Sequence, residues 1–178
     1  MPAATLTVFH LSEFLLSWAF KRSDFSRHAF LFSWPYCTAM VLALIEYVSE
    51  KHISWPSKQH QGAVHLGLLL IFIGECIRKS AVITAGRNFS HQLTHGQRLD
   101  HVLVTHGIYR VVRHPSYLGW TIWVMGTQLV LQNPCCFILF GLLCRNFFKR
   151  RIAIEDAQLR QFFGAAYERY QRQVPAMG

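Results

Sequence analysis

Four apolar runs, Val8 to Phe20, Ala29 to Tyr47, Ala63 to Ile77 and Leu118 to Phe148, dominate the chain, the last interrupted by Gln132-Asn133-Pro134. Several approach the roughly 20 residues a helix needs to cross a bilayer core. Helices this apolar must either hide inside a soluble bundle, where they read as hydrophobic all round, or meet lipid. With 52% hydrophobic residues in 178 and a positive mean hydropathy, the composition favours lipid. The expected fold class is all-α: a polytopic integral membrane protein, one domain over 1–178, with about five transmembrane helices. These are placed at about 4–20, 29–49, 62–84, 115–132 and 135–149, the last two as a hairpin. A polar cytosolic loop over 87–113 and an amphipathic C-terminal helix over 150–172 complete it.

Charge orients this arrangement. The formal net charge is +9, yet the basic and aromatic residues form no RNA- or DNA-binding motif, so no nucleic-acid partner is expected. In the helix order above, every Lys and Arg except Lys51 and Lys58 falls on the face shared by the first loop, the central loop and the C-terminus. The positive-inside rule makes that face cytosolic. No basic segment leads into a short apolar core and cleavage site, so the first run is expected to be a retained helix.

Polar residues inside apolar runs call for partners. Glu13 and Glu46 are carboxylates at membrane depth and need a cation or a wet cavity, while Glu75 and Lys79 stand four apart and can pair on one helix. The polar stretch 87–113 holds His91, His95, His101 and His106, with His114 just beyond. A connection of that length usually does something. His91 and His95 have helical metal-ligand spacing, but the intervening residues lack the glutamate of the zinc protease motif, and no metal is assigned. The five cysteines show neither disulfide nor metal spacing and read as small core residues.

"YRVVRHPSYLGW", Tyr109 to Trp120, sets His114-Pro115 at a helix start. Proline there sacrifices only an orphan N–H and leaves the next donors free, which makes an anion site beside Arg110 and Arg113. Equally, the two arginines can be interface anchors. Further on, Arg151 and Glu155 share a helix face, either as an ordinary ion pair or as two groups entering one site.

Taken in order, "FHLSEF", "FGECIRKSAVITAGRNFSH", "LVTHGIYRVVRHPSYLGW", "GTQLVLQNP" and "RRIAIEDAQLRQFFGAAYERY" closely resemble the isoprenylcysteine carboxyl methyltransferases from about His10 to Pro175. The resemblance implies an endoplasmic reticulum membrane enzyme with its active site facing the cytosol. It would transfer a methyl group from S-adenosylmethionine to the C-terminal carboxylate of a prenylated, trimmed CaaX protein of the small GTPase type. It also implies a cofactor site formed by Thr94, His101, Val102, Leu103, Val104, Tyr109, His114, Pro115, Ser116, Tyr117 and Glu155, with Arg151 engaging the substrate carboxylate. Thr94 stands where relatives commonly carry glutamine, and Asp156 where they carry glutamate.

Such a reaction asks little proton chemistry, because a carboxylate is already ionised at neutral pH. It asks for in-line placement in a site cleared of water. No G-x-G-x-x-G occurs, so the pocket must come from the polar loop and helix ends. The rival activities are an NADPH-dependent sterol reductase and a phospholipid methyltransferase; the non-enzymatic rival is a basic membrane scaffold.

Overall fold

The computed structural model describes residues 7, 9–14, 34–53, 60–89 and 102–177, and every regular element among them is helical. A helical segment at 9–14 is followed by α1 (Trp34–His52), α2 (Gln61–Ala85), α3 (Pro115–Leu131), α4 (Pro134–Phe163) and α5 (Ala165–Gln173). Single 3-10 turns occupy Gly86–Asn88 and Gly107–Arg110.

The centre of the molecule is the antiparallel packing of α2 on α3, and glycines set its spacing. Gly67 faces Gly126 and Gly74 faces Gly119, so close that a Cβ at Gly74 would lie 2.7 Å from the Gly119 carbonyl oxygen and from the Trp123 nitrogen. Small residues let backbones meet where lipid supplies no hydrophobic drive between helices. Phe9 from the N-terminal segment stacks on Trp123 with ring centroids 4.2 Å apart, capping this seam with Ile71.

Both carboxylates expected at membrane depth have partners. Glu13 takes two hydrogen bonds from the buried Arg78, at 2.9 and 2.8 Å, and Arg78 also donates to the Ser116 hydroxyl at 2.9 Å. One arginine thus ties the N-terminal segment, α2 and the start of α3 together. Glu46 of α1 accepts from the backbone nitrogens of Cys135 and Cys136, each at 2.7 Å. It caps α4 from outside, because Asn133 at the N-cap makes no capping bond and instead donates to the Ala43 carbonyl at 2.8 Å. A carboxylate at a helix N-terminus satisfies orphan donors and meets the positive end of the dipole.

The segments expected at 135–149 and 150–172 join without a break, and the interruption comes later. α4 runs 30 residues to Phe163 and stops at Gly164, whose φ of 51° is the positive value that ends it. The change from apolar to basic composition after Phe148 alters only the surroundings of one continuous helix, because no proline interrupts 135–163 and the junction, Lys149 to Arg151, is made of good helix formers.

Among the described residues no helix is long and apolar enough to cross a membrane. α3 has 17 residues, and α1 and α4 carry charge toward their C-terminal ends. Large apolar side chains on α1, α2 and α4 nonetheless face outward: Trp34, Leu44, Phe72, Ile138 and Leu142 are all more than half exposed. Exposed apolar side chains on three helices mark an interaction with something other than water.

Candidate active site

The site forms where the first turn of α3 meets the middle of α4. Pro115 fixes the start of α3, and the preceding His114, at the N-cap, turns its ring toward α4. On α4, Arg151, Glu155 and Asp156 lie within two turns; Glu155 and Asp156 face that ring, and Arg151 faces Tyr117.

Tyr117 is the meeting point on one side. Arg151 donates through Nε to the Tyr117 hydroxyl at 2.6 Å, and its guanidinium lies over the Tyr117 ring, 5.5 Å from the centroid. The Tyr117 hydroxyl donates in turn to Glu155, which Arg151 also reaches at 3.3 Å. The sequence left a choice between an ion pair and two groups entering one site; Arg151 and Glu155 are paired, and they also share a third residue from another helix. Tyr117 is clamped by rings on both sides, parallel to His114 at 5.7 Å and to Phe148 at 4.7 Å.

On the other side stands Asp156, which is buried and saturated with donors. Arg113 Nη1 lies at 2.8 Å, His114 Nε2 at 2.8 Å, the Tyr167 hydroxyl at 2.6 Å and Gln171 Nε2 at 3.1 Å. Burial alone would raise its pKa, but the hydrogen bonds from His114, Tyr167 and Arg113 outweigh it and hold the carboxyl well below the usual carboxylate range. For His114, burial would lower the pKa, but hydrogen bonds to Asp156 and Glu155, and their charge, lift it above the ordinary imidazole value. Its second nitrogen, Nδ1, stands 3.4 Å from Glu155, so the ring bridges two carboxylates and favours the doubly protonated form.

The wall opposite α4 is the segment before α3. Val102 is exposed and donates its N–H to the Asn88 side chain at 3.0 Å. Leu103 packs against Tyr167, Tyr170 and Val174, and Val104 is half-buried. Among the described residues the backbones of Leu103 and Val104 make no hydrogen bond with other backbone, so their N–H and C=O groups remain for a ligand. Tyr109, in the 3-10 turn, donates to the Ala81 carbonyl at 3.4 Å, and burial, then Tyr170 and Glu155, push its phenol well up.

The expected site residues therefore divide. His114, Tyr117, Arg151 and Glu155 converge, with Tyr109 and Val102 to Val104 forming the adjoining wall. Pro115 and Ser116 are buried beneath that wall, and the Ser116 hydroxyl is taken by Arg78. Thr94 and His101, like His91 and His95, lie outside the described residues.

Three structural residues were not read from the sequence. Arg113, expected as an interface anchor, instead ion-pairs with Asp156 at 2.8 Å and donates to the Val174 carbonyl at 2.9 Å. Asp156 is the hub of the cluster, and Tyr167 closes it. The only local sign was an Asp directly following Glu155, which a helix must aim about 100° away.

Known proteins similar to this chain fall in one family. The profile of the Isoprenylcysteine carboxyl methyltransferase (ICMT) family matches residues 66–161. A probable protein-S-isoprenylcysteine O-methyltransferase of Oryza sativa subsp. indica is 42% identical over 173 residues, covering 97% of this chain and 91% of its own. The protein-S-isoprenylcysteine O-methyltransferase of Homo sapiens is 39% identical over 174 residues, 96% of this chain but 61% of the human one. A solved structure of a eukaryotic intramembrane Ras methyltransferase, isoprenylcysteine carboxyl methyltransferase, superimposes with a TM-score of 0.96 at 38% identity, over 99% of this chain and 64% of that one. Sequence identity of about 40% over nearly the whole chain and a matching helical fold point the same way: the chain belongs to the isoprenylcysteine carboxyl methyltransferase family.

Proposed function

We propose that this chain methylates the C-terminal prenylcysteine carboxylate of processed CaaX proteins, with S-adenosylmethionine as methyl donor. The observation that carries the reading is Arg151 held against Tyr117 and Glu155, a fixed cation where the basic half of α4 follows its apolar half. A prenylcysteine has that same order, a lipid tail and then a carboxylate. Its partners are prenylated proteins of the small GTPase type. Its setting is the endoplasmic reticulum membrane, crossed several times, with the site toward the cytosol.

The membrane setting is supported by the apolar outer faces of α1, α2 and α4. Mean hydropathy understates such helices, because Glu13, Glu46 and Arg78 lower the average while being satisfied inside the protein. Short helices are accommodated by local bilayer thinning.

S-adenosylmethionine presents a flat purine, hydrogen-bonding edges and a sulfonium cation, and the residues present suit all three. The backbone of Leu103 and Val104, unpaired with other backbone among the described residues, offers donors and acceptors, Val102 and Tyr109 offer apolar surface, and Glu155 offers negative charge. When bound, the sulfonium supplies an activated methyl group. His114, fixed by Asp156, holds Glu155 from behind and keeps that charge in place. Arg151 orients the substrate carboxylate, a role suited to the planar guanidinium. Phe148 and the stacked Tyr117 exclude water, which favours a step in which opposite charges neutralise. No residue has to remove a proton. Burying a prenyl chain of some fifteen to twenty carbons, at about 0.8 kcal/mol per methylene, keeps the substrate in lipid, so it enters from the side.

Purified protein in detergent, given labelled S-adenosylmethionine, should label N-acetyl-S-farnesylcysteine but not its amide, which lacks the carboxylate. Labelling of phospholipid instead, or no labelling, would refute the reading.

A further inference from the structure

The C-terminal helix contributes no residue to the convergence of Arg151, Tyr117 and Glu155, yet it grips the opposite wall at every step. Leu103 packs on Tyr167, Tyr170 and Val174. The Tyr170 hydroxyl donates to the Tyr109 carbonyl at 2.6 Å. Arg113 gives its N–H to the Pro175 carbonyl at 2.9 Å and its Nε to Val174 at 2.9 Å, and the His114 N–H reaches the Ala176 carbonyl at 3.0 Å. Tyr167 and Gln171 secure the same helix to Asp156. Among the described residues, none of these hydrogen bonds reaches Arg151, Tyr117 or Glu155.

We infer that α5 and the tail 174–176 are a clamp that sets the shape of the cofactor wall from Leu103 to His114, with Tyr170 as its positioning residue. The inference rests on the reading above, in which that wall takes S-adenosylmethionine. The physical basis is that the wall is otherwise weakly held. Residues 102–105 belong to no regular element, the backbone of Leu103 and Val104 pairs with no other backbone among the described residues, and only the 3-10 turn at Gly107–Arg110 gives local order. A segment with few internal bonds gains its geometry from what it packs against. Tyr170 does this from a buried position, with its ring against the segment's start and its hydroxyl on the carbonyl of Tyr109. Preorganising the wall lowers the ordering cost of binding without changing how the substrate carboxylate is met. Cofactor affinity and turnover should therefore separate.

The test uses the full chain in detergent. S-adenosylhomocysteine binding is measured directly, and KM for S-adenosylmethionine, KM for N-acetyl-S-farnesylcysteine and kcat are measured alongside. Tyr170→Phe keeps the ring and removes the one hydrogen bond. It should weaken S-adenosylhomocysteine binding and raise KM for S-adenosylmethionine about three- to tenfold, leaving kcat and the prenylcysteine KM unchanged. If Tyr170→Phe does not fold, Val174→Ala, which trims the apolar contact on Leu103 without touching Asp156, serves for the same split. Unchanged binding, or equal changes in both KM values, overturns the clamp while leaving the proposed function standing. A wild-type protein that binds no S-adenosylhomocysteine overturns both.

Discussion

His114 Nε2 lies 2.8 Å from Asp156 Oδ1, joining the N-cap of α3 to the middle of α4 across 42 residues of sequence. That bond is the pivot of the polar core: it fixes which way the imidazole faces, and so where Glu155 stands.

The pair carries opposite pH signatures. Asp156 is held below its ordinary range, so the stability it contributes is present above about pH 4 and lost as pH falls. His114 is raised, so its contribution is complete below about pH 6.5 and lost as pH climbs through its folded value. Thermal unfolding of wild type should therefore show an alkaline decline. Asp156→Asn, which leaves Arg113 and His114 facing no charge there, should lower stability by about 3–5 kcal/mol and flatten that decline. An Asp156→Asn protein with wild-type melting at every pH would refute this.

Helix spacing gives a second prediction. Gly119→Ala would place a Cβ 2.7 Å from the Gly74 carbonyl oxygen and 2.8 Å from the Arg78 nitrogen. Backbone on both sides leaves nowhere to yield, so the cost is at least about 1–3 kcal/mol. Gly62, at the start of α2, has nothing within 4 Å of its position, and Gly62→Ala should be neutral or stabilising by about 0.5–1 kcal/mol. Paired thermal melts decide it; equal effects would mean that α2 and α3 do not meet as described.

Glu155 should matter most to a cation. Glu155→Gln is expected to weaken S-adenosylmethionine about tenfold or more, and to weaken S-adenosylhomocysteine, which lacks the sulfonium charge, distinctly less. Titration calorimetry with both ligands separates the cases. An equal loss for the two would remove the proposed charge role.

What the sequence disclosed follows the range over which each feature acts. Pro115 opening α3 and the pairing of Glu75 with Lys79 are local, and both are present. The need of Glu13 and Glu46 for partners was legible, but not the partners: Arg78 lies 65 residues from Glu13, and the nitrogens of Cys135 and Cys136 lie about 90 from Glu46. Arg113 resembled an anchor because nothing near it in sequence is acidic; Asp156 comes 43 residues later. The amphipathic helix expected over 150–172 is split at Gly164, a stop signal of the ordinary kind that the apolar repeat running through Phe163 and Tyr167 masked.

The most direct measurement is methyl transfer to N-acetyl-S-farnesylcysteine by purified wild type, Arg151→Ala and Arg151→Lys, with S-adenosylmethionine binding measured on the same preparations. Wild type should turn over, and both variants should lose about a hundredfold or more, because a lysine cannot reproduce the planar contact, while still binding the methyl donor. An Arg151→Ala protein that turns over at the wild-type rate would contradict the account.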